Sequence, residues 1–202
     1  MSVILPKEIA YNQSLPSLPT DCINTSVVLA PVNGSAFGEN SLLQWDLPQR
    51  GYLDPSTLYI RYKFAIAGGA INAEMKATPV YTPFVKLETI FGSSIVENIQ
   101  NYGQLQNMLA NITLNDSQKD GLSSAYGWTD YATASEAGNL NGRSFAAAAE
   151  SATFAGPLNC ILSSAEKLVP LGLMPNVRIQ LTVDSIANIF TSTVAAPTSI
   201  TL

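Results

Sequence analysis

A chain of 202 residues with 47% hydrophobic content holds enough apolar material for one substantial core or two small ones. Only 12% of the residues are charged, and a formal net charge of -5 with no Lys/Arg cluster argues against a grip on nucleic-acid phosphates. There is no histidine at all, which excludes Ser-His and Cys-His nucleophilic pairs, imidazole metal sites and imidazole bases together.

The first thirty residues are rich in Pro, Ser and Asn, and Pro16 and Pro19 oppose both helix and central strand, so residues 1–26 read as an extended N-terminal arm. Their leading apolar run is too short for a signal peptide and lacks a basic start. The run 27–30 is a short strand candidate, followed by a turn at Asn33-Gly34. Residues 41–47 and 57–66 then predict two strands joined through a proline-bounded turn. In the second, Leu58, Ile60, Tyr62, Phe64 and Ile66 point one way, while Tyr59, Arg61 and Lys63 point the other. Such strict alternation marks a sheet with one buried face.

The small, polar stretch 67–83 is a connecting loop. Residues 84–91 alternate again, placing Val85, Leu87 and Thr89 on one face and Lys86 and Glu88 on the other, and 92–97 read as a turn with a short return strand. Helical periodicity is clear once. Ile99, Tyr102, Leu105, Met108, Leu109 and Ile112 recur at spacings of three and four, with Asn98 placed to cap the start. The spacing predicts a helix over about 98–114 whose apolar stripe packs on a sheet.

From 115 to 156 the composition is Gly, Ser, Ala, Asn and Asp, which reads as a long loop carrying Tyr126, Trp128 and Tyr131, with a short helix candidate at 146–149. Residues 177–183 alternate strictly, with Val177, Ile179, Leu181 and Val183 in and Arg178, Gln180 and Thr182 out. The final run, 198–202, begins a strand that is expected either to pair outside the chain or to belong to a longer polypeptide.

Few residues here carry chemistry. Asp46, Asp54, Glu88 and Glu97 are the carboxylates worth weighing as an acid/base pair, but their spacing shows no convergence on a cleft, and no enzymatic activity is expected. Asn115, Asp116 and Asp130 do not form the dense ligand ladder that calcium requires, so neither a metal nor a cofactor is expected. The Asn-x-Ser/Thr sequons beginning at Asn12, Asn24, Asn33, Asn111 and Asn115 arise by chance in so Asn/Ser/Thr-rich a chain. Cys22 and Cys160 read as free buried thiols rather than a disulfide. No stretch is long and apolar enough to span a bilayer. Tyr126, Trp128 and Tyr131 have three readings: stacking on sugar rings, anchoring a protein interface, or forming a local core under their loop.

Together these elements predict an all-β protein: a jelly-roll β-sandwich of two facing antiparallel sheets with one inserted helix and long loops. Within that frame, Gln44-Trp-Asp-Leu-Pro48 with Gly51-Tyr-Leu-Asp-Pro-Ser-Thr-Leu-Tyr-Ile-Arg-Tyr-Lys63 resembles the opening strands of viral double-jelly-roll major capsid proteins. The likeness is to the polinton-like virus group of the adenovirus-related lineage. Two further segments share it, Thr78-Pro-Val-Tyr-Thr-Pro-Phe84 and the run from Glu166 to Leu181.

The resemblance spans most of 41–190 and implies a virion structural protein. Its homotrimers would form pseudo-hexameric capsomers of an icosahedral shell, contacting neighbouring capsomers and other capsid proteins. Residues 27–202 would then be a single jelly roll, the first of two in a longer polypeptide. The arm would reach toward a neighbour beneath the shell, direct membrane contact being less expected. Arg61, Lys63, Lys86 and Arg178 would supply cross-subunit ion pairs, with Tyr126, Trp128 and Tyr131 as further contacts. The rival reading is a carbohydrate-binding β-sandwich that uses the aromatics of the 115–156 loop.

Overall fold

In a computed structural model of the chain, the structure describes residues 25–67, 73–76, 78–128, 144–145, 150–190 and 199–201. Its strands are β1 (Leu42–Asp46), β2 (Tyr52–Leu53), β3 (Tyr59–Ala67), β4 (Ala73–Glu74), β5 (Phe84–Phe91), β6 (Ser94–Gln100), β7 (Ser144–Phe145), β8 (Ser151–Pro157), β9 (Val169–Pro170), β10 (Val177–Val183) and β11 (Ser199–Thr201). Helices α1 (Tyr102–Thr113) and α2 (Asp116–Tyr126) follow β6, and the short α3 (Ile186–Ile189) follows β10.

The pairing is nested. β5 pairs with β6, β4 with β7, β3 with β8, β2 with β9 and β1 with β10, all antiparallel. The chain therefore runs out and back as one long hairpin whose tip is the turn after Phe91. That ribbon is then rolled, so that β10, partner of β1 at the open end, also pairs with β5 at the tip. The result is a four-stranded sheet in the order β1-β10-β5-β6 and a three-stranded sheet in the order β11-β3-β8. A rolled antiparallel ribbon is a jelly roll, the fold class expected from the alternating strands.

β3 and β10 bury every second residue, as their period of two requires: Ile60, Phe64 and Ile66 in one, Val177, Ile179, Leu181 and Val183 in the other. β5 departs from the expected phase. Lys86 is paired with Thr182 and Phe84 with Val183, so Val85 is an extra, bulged residue. Phe84, rather than Val85, therefore joins Leu87 and Thr89 on the buried face. Between the sheets Phe64 lies against Phe145, Phe154 and Phe190 at centroid separations of 5.9, 6.4 and 6.2 Å, and Tyr62 meets Phe84 edge-on at 5.3 Å.

Several expectations need correction. The helix expected over 98–114 starts four residues later, because β6 continues through Gln100 and Asn98 pairs with Glu88 instead of capping. Asn101 makes the break by adopting a left-handed backbone, φ 55°. A second helix, α2, occupies the start of the presumed loop. Asn115 accepts from the Gln118 N–H while the Gln118 side chain accepts from the Asn115 N–H, a complete capping box. Gly127 ends it at φ 80°, where a Cβ would collide with the Phe154 ring. The run 27–30 forms no strand. The last run finds a partner within the chain, since Ser199, Ile200 and Thr201 pair with Ala67, Ile66 and Ala65. The arm 1–24, Cys22, Tyr131 and the helix candidate at 146–149 lie outside the described residues.

Candidate assembly surface

The four carboxylates weighed for acid/base work each have a local structural task. Asp54 caps the turn before β3, accepting from the Ser56 N–H at 3.0 Å and the Ser56 hydroxyl at 2.7 Å. Asp46 meets Arg178 across β1 and β10 at 2.9 Å, and Glu88 meets Lys86 at 2.9 Å. Glu97 accepts from the Thr89 hydroxyl and from the Ile161 N–H, both at 2.9 Å. Among the described residues no group of three acidic, Cys or His side chains is placed to hold a metal ion, and no helix is long and apolar enough to cross a membrane.

The outer face of the four-stranded sheet is thus internally neutralised. Next to the Asp46–Arg178 pair, the Gln180 amide donates to Gln44 at 3.0 Å, so the cross-strand rows interlock. The three-stranded sheet differs. Arg61 and Lys63 stand exposed on β3 opposite Ala155 and Thr153, with no ion pair among the described residues, and Tyr59 is exposed beside them. Of the four cations singled out by sequence, two are therefore held within the subunit and two are presented outward.

The loop aromatics divide as well. Tyr126 is buried as the last residue of α2, 5.9 Å from Tyr81 in the core. Trp128 stacks on it at 4.9 Å with an interplanar angle of 29°, so one indole face is already covered. Burial raises the phenol pKa values of Tyr62, Tyr81, Tyr102 and Tyr126 above their ordinary value. The Cys160 thiol is buried and unbridged, and desolvation raises its pKa too.

Helix α1 is rotated from the expected orientation. It keeps Tyr102 of the stripe on the sandwich, with Gln106 beside it, and turns Leu105, Met108, Leu109 and Ile112 outward. Tyr102, Gly103, Gln106 and Ala110 are the buried residues. Leu105, Met108, Leu109 and Ile112 are 39, 62, 42 and 75% exposed. Two features impose this. Gly103 lies so close to the turn before β5 that a Cβ there would stand 2.6 Å from the Tyr81 carbonyl oxygen and 3.0 Å from that of Phe84. Beneath the helix a polar layer takes up its amides: the Thr78 hydroxyl donates to Asn107 at 2.7 Å, and the Asn159 amide donates to Gln106. Buried amides demand such partners, whereas the apolar stripe has none below it. The sequence held one signal of this arrangement. No residue of α1 is charged, so its polar face lacks the mark of a solvated face.

Comparison with solved structures finds this fold in a PBCV-1 virus capsid, with a TM-score of 0.50 and 14% identity over 90% of this chain. The chain spans 43% of the length of that capsid chain. Also similar are a chain of the Sputnik virophage (TM-score 0.42, 12% identity, 99% of this chain and 50% of that one) and the STIV MCP (TM-score 0.38, 12% identity, 83% and 47%). No family model and no curated protein sequence matches.

Proposed function

We propose that this chain is a jelly-roll unit of a virus capsid protein, built to bury its outer surfaces against copies of itself in the shell. The observation that carries the reading is the outward apolar face of α1. Four large side chains, each about half exposed, would contribute about 1 kcal/mol apiece on burial. A soluble monomer gains nothing from presenting them, and contiguous exposed apolar residues mark a contact surface. The low overall charge and the neutralised outer sheet fit the same use, because few charges need desolvation when neighbours close on them. A relative of the same fold is a virus capsid chain more than twice as long, which supports a second roll following residues 27–202 in the complete polypeptide.

In this reading Arg61, Lys63 and Tyr59 form a second contact, one that weakens with salt, and the stacked pair Tyr126 and Trp128 forms a third. The oligomer is a homotrimer forming a pseudo-hexameric capsomer, and the chain acts by shape, without catalysis or cofactor. The test is the native mass, by light scattering and electron microscopy, of the wild type and of a Met108→Lys/Ile112→Lys variant. Trimers or shells from the wild type, lost in a variant with unchanged circular dichroism, are expected. A wild-type chain that stays monomeric at every concentration overturns the proposal.

A further inference from the structure

The four-stranded sheet has two edges, and they are treated differently. At β1 the edge is closed by the chain itself. The Val32 N–H donates to the Gln44 carbonyl at 2.8 Å, the Asn33 amide donates to the Leu42 carbonyl, and the Gln44 N–H donates to the Asn33 side chain at 3.1 Å. At β6 nothing equivalent occurs among the described residues. Its backbone pairs with β5 on one side, and among the described residues no backbone hydrogen bond reaches it from the other. Ser94, Ile95, Val96, Asn98 and Gln100 are all exposed.

Open edges are ordinarily guarded by Lys, Pro, very short strands or inward charges. β6 is seven residues long and contains neither Lys, Arg nor Pro. Its one charge, Glu97, is turned away onto Thr89 and the Ile161 N–H. Its one guarding feature is a bulge at Val96, which sits between the Thr89–Glu97 and Ile90–Ile95 pairs and leaves Ile95 and Val96 both outward.

From this asymmetry we propose that β6 pairs, edge to edge and antiparallel, with β6 of a second copy of this chain, joining two four-stranded sheets into one of eight. The unmet N–H and C=O groups are complementary only to another extended backbone. A two-fold contact is self-complementary, bringing Ile95 and Val96 of each copy over Ile99 and Asn98 of the other. Size favours a copy over a foreign partner. Seven residues give an edge about 23 Å long. One strand spacing, about 5 Å, deep, it covers on the order of 100 Å², well short of the roughly 800 Å² per side of a stable one-to-one complex. So small a contact becomes effective when repeated through an array of identical subunits.

The inference rests on the capsid reading, and the experiment separates the two. Amide exchange is compared between dissociated subunits and particles assembled from the purified chain alone, in which any protecting strand must come from a copy. Amides of 94–100 are expected to exchange at least tenfold more slowly in the particle, while those of 42–46 are equally protected in both. Ile95→Lys and Asn98→Lys are each expected to raise the concentration needed for assembly at least tenfold, with subunit circular dichroism unchanged. Particles whose 94–100 amides exchange as in the subunit overturn edge pairing and leave the capsid reading standing. Protection already present in the dissociated subunit also overturns it, and a chain that never assembles overturns both.

Discussion

Two helical glycines make opposite predictions for one substitution. Gly103 lies in the first turn of α1 and Gly121 in the interior of α2. Replacing Gly by Ala in an exposed helix gains about 1 kcal/mol from backbone entropy alone. At Gly121 a Cβ meets nothing within 4 Å, so Gly121→Ala should stabilise by about that amount. At Gly103 the same Cβ would stand 2.6 Å from the Tyr81 carbonyl oxygen, which is backbone and cannot swing aside. Restoring ordinary contact requires α1 to lift by about 1 Å.

Lifting α1 loosens the Thr78–Asn107 bond, 2.7 Å long in the seated helix, and the Asn159–Gln106 bond, while Thr78 and Gln106 remain buried. Overpacking contributes about 1–3 kcal/mol and the weakened buried hydrogen bonds about 1–3 kcal/mol, against the gain of about 1. Gly103→Ala should therefore destabilise by about 1–5 kcal/mol. Guanidinium unfolding followed by tryptophan fluorescence reads both variants on one scale, provided the slopes agree. If Gly103→Ala proves as stable as Gly121→Ala, α1 is not seated on those carbonyls, and the outward orientation of its apolar stripe loses its cause.

Two further outcomes follow from the buried phenols and the closed edge of β1. Tyr62, Tyr81 and Tyr102 have folded-state pKa values raised by burial, so their protonation favours the fold fully below the ordinary phenol pKa of about 10, and that contribution is lost as pH rises above it. Stability should be level through neutral pH and then fall with increasing steepness as pH rises past 10, with Cys160 starting a shallower decline near its thiol range. A flat unfolding profile up to pH 11.5 would show these phenols to be solvated. Asn33→Ala removes both side-chain bonds that close β1 and should destabilise by about 1 kcal/mol, with faster amide exchange confined to 42–46. Unchanged exchange there would mean that the β1 edge is covered by something else.

The strands with strict alternation were legible because a period of two is written in single residues, and Ile60, Phe64, Ile179 and Leu181 all lie where that period places them. β5 slipped because a bulge shifts the phase by one residue without leaving a compositional mark; Val85 looks like any strand residue. α2 was missed: its Asn115 and Gln118 form a capping box, but its body reads as loop when composition is weighed above capping. The orientation of α1 was the least legible element. Periodicity locates an apolar stripe but does not say which side of a helix has partners, and that was decided by Gly103, Thr78 and Asn159, residues far apart in sequence. The charged candidates show the same limit. Arg178 and Lys63 both sit at outward positions of strict alternators, and only the pairing of β10 with β1 reveals that one has an internal counter-ion.

The nested pairing also fixes an order of events during synthesis. The β5–β6 hairpin closes over a turn of a few residues and can form in microseconds once it has emerged. β1 must wait far longer, because its bonded neighbours on β10, such as Gln180 for Gln44, lie 136 residues downstream. At ribosomal speed that delay is on the order of 10 s. Throughout it Leu43, Trp45 and Leu47 have no sheet to enter, on a chain whose contacts are mostly of long sequence range and whose final folding is correspondingly slow. A sequence so poor in charge has little self-repulsion to keep such nascent chains apart. Production of the protein in quantity should therefore depend on a chaperone that shields the first strand until the tenth arrives.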